Sequence, residues 1–540
     1  MTAFATRIAA SSDSFLRNRA DMLARIGELR SLEARAVEAS NLRRKVFQAR
    51  GQIPPHERVA RLLDPGMPFL RLHTLANYLV EDENPETSVP GANVIAGIGF
   101  ACGVRCMVWA DDSGIRAGSI TRSTATTVLS IQEIALRQKL PFIHLVESAG
   151  ADLTRFLVET WIESGAMFRN LARMSAAGIP TLVVLHGPST AGGAYMPGMS
   201  DYVVGVKNNG LAALAGAALV RAATGEIVDE RELGGSEMHA SKSGLVEYLA
   251  EDDAHGIAIA RNIIGGLDWN RHASPPALRP YEPPVFDCDE LAGVVPVDYR
   301  TPYDVREVVA RIADGSSFTE FKPRYGAATV CLQTSIMGHA CCIVGNNGPI
   351  DPQGATKAAQ FFQLADQASL PLVFLHNTTG YIVGTESEQA GMIKHGSKMI
   401  QAVTNVRVPK ITFYIGASYG AGNYGMCGFA YEPDFLFAWP NASTNVMGAE
   451  QAARTMRQVT EAAAARRGET PNPDGMRAQE ERILAHFKRQ ESAFYTSGRV
   501  LDHGIIDPRD TRKVLGFALE TCAEAQSRAL RANSFGVARM

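Results

Sequence analysis

The chain repeats one pattern of apolar segments and glycine-rich turns in its two halves, and this duplication limits the folds open to it. The first half reads LPFIHLVESAGADL and later IPTLVVLHGPSTAGGAYMPGMSDYVVGV. The second half reads LPLVFLHNTTGYIVG and later VPKITFYIGASYGAGNYGMCGFAYEPDFLFAWPNA. A proline opens each segment, and the interval from Pro141 to Pro180 nearly equals that from Pro371 to Pro409. We therefore expect two domains built on one plan.

Each half predicts an α/β fold of strands that alternate with helices. Four segments are almost continuously apolar, which is typical of strands covered by helices on both faces. These segments are Phe142–Val146, Thr181–Leu185, Leu372–Leu375 and Ile411–Ile415. Helical periodicity between them, in Phe156–Ala177 and Ser387–Thr404, predicts the connecting helices.

The chain of 540 residues is long enough for two cores. Residues 1–50 are predicted to be helical, because apolar residues recur at three- and four-residue steps from Ser14 to Arg50. We place the first domain at 51–271, a proline-rich linker at 272–284 and the second domain at 285–540. The second half carries extra polar sequence at Ala452–Glu480, which we expect to form a helix plus loop on the surface.

Composition narrows the class of protein. The net charge of −3 gives no support to nucleic-acid binding, and no apolar stretch is long enough to span a membrane. The first residues lack the apolar core of a secretory signal, although a weak transit peptide stays open. The eight cysteines form no CxxC pair, so no zinc site is expected and the thiols are taken as free. We expect a bacterial cytoplasmic or organelle-matrix protein that is not secreted.

The two glycine-rich turns are the candidate functional sites. Each follows a strand and opens a helix, where backbone N–H groups lack partners and favour negative charge. The N–H groups of Gly192 and Gly193 in the first turn, and of Ala421 and Gly422 in the second, are placed to bind an oxyanion. The alternative is that the glycines serve tight packing alone. Repetition of the turn at matching positions favours the binding role.

Other signals are weaker. Gly420, Gly422 and Gly425 match a dinucleotide fingerprint, but no acidic residue follows at the spacing that such a site needs. His186 and His376 are interpreted as structural histidines. Glu147 and Cys427 have no partner that the sequence identifies. The chain has no Ala-Met-Lys-Met biotinylation motif.

These residues resemble the carboxyltransferase (beta) subunits of biotin-dependent acyl-CoA carboxylases, along nearly the whole chain. The segments that carry the resemblance are Gly51–Gly66, Glu147–Ala151, Gly187–Tyr195, Ala222–Gly235, Val344–Gly348, Gly380–Gly384 and Asp502–Thr511. Within the family, GASYGAGNYGMCG, WPNA and VMGAEQAA look like the methylcrotonoyl-CoA and geranyl-CoA carboxylase branch.

The resemblance implies two tandem crotonase-like (ClpP/crotonase) domains of repeated ββα units. It implies a beta hexamer in which acyl-CoA lies on the first domain and biotin on the second. The biotin is carried by a biotin carboxylase/biotin carboxyl carrier (alpha) subunit, and no metal takes part. Gly192 and Gly193 correspond to the residues that hold the thioester enolate oxygen, and Ala421 and Gly422 to those that hold the biotin ureido oxygen. Flanking residues on the acyl-CoA side are Ala149, Gly150, Ala191 and Ala194; those on the biotin side are Thr379, Gly380, Tyr381, Tyr419 and Gly420.

Three stretches depart from that branch, and all lie in the acyl-CoA half. Ser123–Thr127 stands where the branch has Lys-Lys, and Gly216–Ala218 where it has Gly-Pro-Pro. Leu153–Gly165 lacks the branch's Phe-Pro-Asp insertion. The acyl group therefore stays open, with branched or unsaturated chains such as 3-methylcrotonoyl or geranyl favoured. A propionyl- or acetyl-CoA-type enzyme, a biotin-dependent decarboxylase subunit and a non-catalytic scaffold subunit are the alternatives.

Overall fold

The structure is a computed structural model that describes residues 3–275, 277–468, 472–534 and 536–537. It divides into two compact units. The amino-terminal unit contains the described residues of 30–276, 498–500 and 521–540; the carboxy-terminal unit contains those of 1–29, 277–497 and 501–520. Some predicted regions lie partly outside the described residues: residues 1–2 of the N-terminal helical segment, residue 276 of the linker, residues 469–471 of the insertion, and residues 535 and 538–540 of the second domain. The predicted domain bounds remain a prediction.

The amino-terminal unit is built on a mixed sheet in the order β1-β2-β3-β4-β5-β6-β8, with β7 paired to β5. Its strands are β1 Leu70–Leu72, β2 Val94–Ala101, β3 Val104–Asp111, β4 Phe142–Ser148, β5 Thr181–Thr190, β6 Tyr202–Val206, β7 Leu211–Ala213 and β8 Tyr248–Ala250. β2 and β3 form an antiparallel hairpin, and β3 to β6 run parallel. The predicted strands are thus found, and each extends beyond its predicted end.

Helices precede this sheet in the chain and connect its strands, and residues 13–29 of the first helix belong to the carboxy-terminal unit. The helices are α1 Asp13–Asn41, α2 Arg44–Ala49, α3 Pro55–Leu62, α4 Arg122–Arg137, α5 Val158–Ser164, α6 Ala166–Ala177, α7 Tyr195–Met199, α8 Ala217–Thr224, α9 Glu230–Gly234, α10 Ser236–Met238 and α11 Asp253–Gly266. A core of strand residues such as Val108, Ile143 and Val184 packs with Ile257 and Ala260 of α11. Full burial of these apolar side chains is the main stabilising term.

The carboxy-terminal unit repeats the plan in a sheet of order β14-β13-β12-β11-β10-β9, with β15 paired to β13. Its strands are β9 Thr319–Glu320, β10 Thr329–Ile336, β11 His339–Asn346, β12 Leu372–Thr378, β13 Lys410–Tyr419, β14 Phe435–Ala438 and β15 Ser443–Asn445. β10 and β11 form the hairpin, and the strands from β11 to β14 run parallel. Both units therefore show a strand hairpin, a helix and a further strand, the expected ββα repeat.

The remaining helices are α12 Leu291–Val294, α13 Val305–Ala310, α14 Pro352–Gln367, α15 Thr385–Gln389, α16 Met392–Asn405, α17 Gly420–Gly425, α18 Ala449–Arg467, α19 Pro473–Glu491, α20 Ala493–Gly498 and α21 Thr511–Ser527. A core between α14, α16 and the sheet includes Phe361, Phe362, Phe374 and Met399. No helix among the described residues is long and apolar enough to cross a bilayer.

Several predicted helices are divided in the structure. The helix expected over Ser14–Arg50 is split into α1 and α2, and the one expected over Phe156–Ala177 into α5 and α6. Gly391, at φ 83°, separates α15 from α16 because a left-handed residue cannot continue a right-handed helix. The insertion forms two long helices, α18 and α19, that pack together, rather than one helix and a loop.

Candidate active site

The first glycine-rich turn, residues 190–195, joins β5 to α7, and we call it the first corner. β5 ends at Thr190, and Ala191 follows with φ 54°, a left-handed conformation that reverses the chain. The four residues from Ala191 form a turn of 3-10 helix that leads into α7. Ala191 and Gly192 are exposed, whereas Gly193 is buried. The turn therefore presents its backbone to solvent at one edge of the sheet.

The end of the neighbouring strand β4 lies against this corner. Thr190 Oγ1 donates to the carbonyl oxygen of Ala149 at 3.3 Å. Gly150 has φ 81°, and a Cβ there would lie 3.0 Å from the carbonyl oxygen of Thr190. A side chain at Gly150 would thus push the two strand ends apart. The structure brings together the residues predicted for the acyl-CoA side, namely Ala149, Gly150, Ala191 and Ala194.

The second glycine-rich turn, residues 419–425, joins β13 to α17, and we call it the second corner. β13 ends at Tyr419, and Gly420 follows with φ 54°. Ala421 is exposed and Gly422 is buried, the same order as Gly192 and Gly193 in the first corner. The left-handed residue also falls at the same place, as an alanine in one corner and a glycine in the other.

The end of β12 accompanies the second corner as β4 accompanies the first. The register shift between β4 and β5 recurs between β12 and β13. Gly380 has φ 112°, and a Cβ there would lie 3.3 Å from the carbonyl oxygen of Tyr419. Thr379 is exposed, and Tyr381 is half-buried with its hydroxyl donating to the carbonyl oxygen of Gly396 at 3.3 Å. The structure brings together the residues predicted for the biotin side, namely Thr379, Gly380, Tyr381, Tyr419 and Gly420.

The two corners differ in how closely they are packed. A Cβ at Gly422 would lie 2.7 Å from Gly380 Cα, closer than real atoms approach. A Cβ at Gly193 would have Ser189 Oγ as its nearest neighbour at 3.4 Å, and one at Gly192 would meet Phe168 Cζ at 4.0 Å. Gly422 is therefore required by packing, whereas packing alone would allow alanine at the two glycines of the first corner.

Both corners leave their first backbone N–H groups without a side-chain cap. Thr190 and Tyr419, which precede the turns, make no capping hydrogen bond to them. The first N–H groups of a helical turn have no partner within the turn and carry partial positive charge. The amides of Gly192 and Gly193, and those of Ala421 and Gly422, can therefore donate to an oxygen that gains negative charge during a reaction.

Beneath the first corner lies a buried group of four side chains that we call the ionic network: Arg58, Glu147, His186 and Asp253. Arg58 Nη1 donates to Glu147 Oε2 at 2.6 Å, and its Nε donates to Asp253 Oδ2 at 3.1 Å. His186 Nδ1 lies 2.8 Å from Asp253 Oδ1. The network joins α3 and α11 to the end of β4 and, through His186, to the middle of β5.

Electrostatics within the ionic network set its protonation. Burial raises the pKa of Asp253, but the hydrogen bond from His186 and the charge of Arg58 outweigh burial and hold that pKa below its ordinary value. Burial and the nearby Arg58 charge lower the pKa of His186. His186 is therefore a neutral imidazole whose Nδ1–H donates to Asp253. Its Nε2 has no hydrogen-bond partner among the described residues.

Beneath the second corner lies a different group, which we call the neutral network. His376 Nε2 donates to the carbonyl oxygen of Met426 at 2.5 Å, so Nδ1 accepts from the Ser418 hydroxyl at 2.8 Å. Asn423 Nδ2 donates to Ser418 Oγ at 2.8 Å and to the hydroxyl of Tyr414 at 3.0 Å. Burial lowers the pKa of His376 to about 3, so the ring is neutral.

His186 and His376, predicted to be structural residues, are both buried and hydrogen-bonded in the structure. The pairing of Arg58 with Glu147 was not predicted, because the two residues are distant in the sequence and meet through the fold. Cys427 is buried, with Sγ 3.8 Å from the carbonyl oxygen of Tyr431. A charged residue at the end of an apolar strand was the signal that could have pointed to the ionic network.

Apolar and cationic groups surround the first corner. Phe168 and Tyr195 stack edge to face with ring centroids 5.9 Å apart, beside Gly192. A small cavity of about 120 Å³ borders Ala149 and also contacts Arg43 and Arg50 at the two ends of α2. Large apolar side chains next to α5 or within it are exposed, and these are Phe156, Leu157, Val158, Trp161 and Ile162.

Among the described residues, no cluster of three or more His, Cys, Asp or Glu side chains could hold a metal ion.

Comparison with known proteins assigns the family. The carboxyl transferase domain matches residues 47–537. The chain belongs to the carboxyl transferase family. A probable biotin-dependent acyl-coenzyme A carboxylase beta2 subunit of Mycobacterium tuberculosis is 47% identical over 493 residues, 91% of each chain. The biotin-dependent 3-methylcrotonyl-coenzyme A carboxylase beta1 subunit of the same organism is 44% identical over 519 residues, 95% of this chain and 96% of that one.

A solved structure supports the same assignment. The beta subunit of geranyl-CoA carboxylase from P. aeruginosa is 49% identical, covers 100% of both chains and superposes with a TM-score of 0.93. The predicted family and α/β fold of tandem crotonase-like units are confirmed, as is the predicted carboxyltransferase activity of a biotin-dependent acyl-CoA carboxylase beta subunit.

Proposed function

We propose that the two corners of this carboxyltransferase bind its two reactants, an acyl-CoA at the first corner and carboxybiotin at the second. The observation that carries the proposal is the duplicated pair of uncapped amides, at Gly192 and Gly193 and at Ala421 and Gly422. Carboxyl transfer to an acyl-CoA passes through an anion on each reactant, so one such site per reactant fits the reaction.

The first corner would stabilise the acyl-CoA when it loses a proton. Charge then moves to the thioester oxygen, and the amides of Gly192 and Gly193 donate to that oxygen. In an enoyl-CoA the proton leaves the γ carbon, because the negative charge is delocalised through the conjugated double bond onto the same thioester oxygen. Loss of one preorganised donor of this kind costs about 3 kcal/mol in hydrolytic enzymes, which sets the scale of the stabilisation.

The second corner would hold the ureido oxygen of biotin through the amides of Ala421 and Gly422. Carboxybiotin supplies the CO2 and, after its release, the base that removes the substrate proton. The close contact of Gly422 with Gly380 fits this role, since it fixes the turn before biotin arrives. Exposed Thr379 and half-buried Tyr381 border the same turn on the side where the ring would enter.

The cavity beside the first corner supports an acyl-CoA there. Arg43 and Arg50 are exposed cations at its rim, and Phe47 and Val46 add apolar surface. Arginine is well suited to phosphate groups, and the CoA nucleotide carries several. The apolar ring pair of Phe168 and Tyr195 lies on the Gly192 side, where the acyl chain would extend.

We propose that biotin comes in trans from a biotin carboxylase/biotin carboxyl carrier (alpha) subunit, because the chain has no biotinylation motif. We also propose a beta hexamer in which the first corner of one copy meets the second corner of another. Exposed apolar side chains near each corner support such contacts, for example Trp161 and Ile162 near the first and Val383 and Ile393 near the second.

The acyl group we propose is branched or unsaturated, such as 3-methylcrotonoyl or geranyl. The support comes from the names of the relatives, a 3-methylcrotonyl-coenzyme A carboxylase subunit and a geranyl-CoA carboxylase subunit. A bacterial cytoplasmic or organelle-matrix location is consistent with eight cysteines that form no disulfide among the described residues.

The test is a panel of acyl-CoAs offered to the chain together with its biotin-bearing partner, ATP and labelled bicarbonate. We expect label in 3-methylcrotonoyl-CoA or geranyl-CoA above propionyl-CoA and acetyl-CoA. Preference for the two saturated substrates would replace the acyl proposal with the propionyl/acetyl type. A parallel reaction supplies methylmalonyl-CoA as a carboxylated substrate; loss of its CO2, with no label gained by any acyl-CoA of the panel, would favour the decarboxylase. Complete inactivity in both reactions would favour a scaffold.

A further inference from the structure

Arg58 connects the elements that carry the first corner without reaching the corner itself. It lies on α3, is 1% exposed, and binds both Glu147 at the end of β4 and Asp253 at the start of α11. The Glu147 side chain in turn packs on the backbone of β5, since a Cβ at Gly187 would lie 2.8 Å from Glu147 Cδ. The guanidinium of Arg58 therefore fixes the Glu147 carboxylate, and Glu147 packs between the end of β4 and the backbone of β5.

A second side chain reinforces this arrangement. Gln52 Nε2 donates to Glu147 Oε1 at 3.2 Å and to the carbonyl oxygen of His186 at 2.8 Å. Asp253 also accepts from the backbone N–H of Ile53 at 2.8 Å. The segment before α3 is thus bonded to both strands, and from His186 the extended chain runs directly to Thr190 and the corner.

We propose that Arg58 is a positioning residue for carboxyl transfer, which fixes the strand ends that place the amides of Gly192 and Gly193. The inference rests on the proposed role of the first corner. Donors act on a developing oxyanion only within a narrow range of distance. A displacement of about 1 Å at a reacting group costs about 100-fold in rate. Lysine cannot replace the planar guanidinium of Arg58, which donates to Glu147 and to Asp253 at the same time.

The chain provides a matched control in its carboxy-terminal unit. Arg311 is also 1% exposed and also binds two carboxylates, Glu307 at 2.9 Å and Glu290 at 2.6 Å. Arg311 contacts no residue of the second corner among the described contacts. Arg58→Lys and Arg311→Lys therefore make the same chemical change in two buried ion networks, and only the first network supports a corner.

The experiment measures kcat, KM for the acyl-CoA and Tm for both variants in the full chain with its biotin-bearing partner. We expect Arg58→Lys to lower kcat about tenfold or more while KM stays within about threefold. Arg311→Lys is expected to lower Tm by a similar amount and to keep kcat. Equal loss of kcat in both variants, or unchanged kcat in Arg58→Lys, would overturn the proposal.

Amide hydrogen exchange gives a readout that needs no activity. Arg58→Lys is expected to speed exchange in residues 187–195 and to leave residues 417–425 unchanged; equal change in both segments, or none, rejects the inference. If Arg58→Lys does not fold, Glu147→Gln takes its place, because glutamine keeps the volume and weakens the same bond. If the unmodified protein carboxylates no acyl-CoA, the proposed function fails, while the exchange comparison still decides the role of Arg58.

Discussion

The first and second corners have the same backbone conformation, but different side chains pack behind them; we call those side chains the support of each corner. At the end of β4 the side chain behind the corner is Glu147, held by Arg58; at the matching place on β12 it is Asn377. Gly187 packs on Glu147, and Gly416 packs on Asn377, where a Cβ would lie 2.5 Å from Oδ1. Asn377 Oδ1 accepts from the backbone N–H of Ala417 at 3.0 Å.

The comparison separates the features that both corners share from those in which they differ. The left-handed residue, the exposed second position and the buried third position are kept in both corners. The support has changed from an ion network to neutral hydrogen bonds. We infer that the backbone amides are the shared functional element, and that each domain has its own way of holding them.

The largest effect is expected from Gly193→Val at the first corner. A Cβ at Gly193 would meet Ser189 Oγ at 3.4 Å, an ordinary contact, and we expect the two further methyl groups of valine to block the oxygen's approach to the amides without unfolding the chain. We expect carboxylation to fall by about 100- to 1000-fold with Tm nearly unchanged. Assays of kcat/KM and thermal unfolding check this, with Gly198→Ala, where a Cβ meets nothing within 4 Å, as the control. Full activity would remove Gly193 from the site.

Replacing the neutral side chain behind the second corner by a charged one should lower the free energy of unfolding. Asn377→Asp places a buried carboxyl group where no arginine is bonded to it, unlike Glu147. We expect unfolding free energy at pH 7 to fall by about 3 kcal/mol, since an unpaired buried charge is strongly unfavourable. Denaturant unfolding of the variant and of the unmodified chain at pH 7 and pH 4 measures the loss, and the difference between the two proteins should shrink at pH 4, where the carboxyl is protonated. No difference between the two proteins at pH 7 would show that the two supports are interchangeable.

Packing provides a smaller contrast. Gly422→Ala must displace the backbone of Gly380, 2.7 Å away, whereas Gly192→Ala has its nearest neighbour at 4.0 Å. We expect Gly422→Ala to lose about 1–3 kcal/mol of unfolding free energy. Gly192→Ala should change by no more than about 0.5 kcal/mol. Denaturant midpoints of the two variants compare them directly; a larger loss for Gly192→Ala would contradict the difference in packing.

The smallest effect concerns pH. The pKa of His376 is lowered to about 3 by burial, so between pH 6.5 and 3 the unfolded chain binds a proton that the folded chain does not. This residue therefore makes stability fall as pH falls, by about 1.4 kcal/mol per pH unit. In His376→Gln that contribution disappears, and the slope of stability against pH from 6 to 5 should be shallower than in the unmodified chain. Parallel slopes would show that His376 is not neutral.

The sequence predicted the features that depend on local patterns. Continuous apolar runs gave the strands Phe142–Val146 and Leu372–Leu375, and glycine spacing gave both corners. Helix breaks were missed where one residue, such as Gly391 at φ 83°, ends the helical path. The supports were missed for a different reason: Arg58, Glu147 and Asp253 lie on three elements, α3, β4 and α11, and meet only when these have packed together. No local pattern encodes that contact.

The most direct test of the central claim is a crystal structure of the chain with its biotin-bearing partner and a bound acyl-CoA. We expect the thioester oxygen at about 2.7–3.1 Å from the amides of Gly192 and Gly193. We expect the biotin ureido oxygen at the amides of Ala421 and Gly422. A thioester bound elsewhere, with the amides of Gly192 and Gly193 facing solvent, would contradict it.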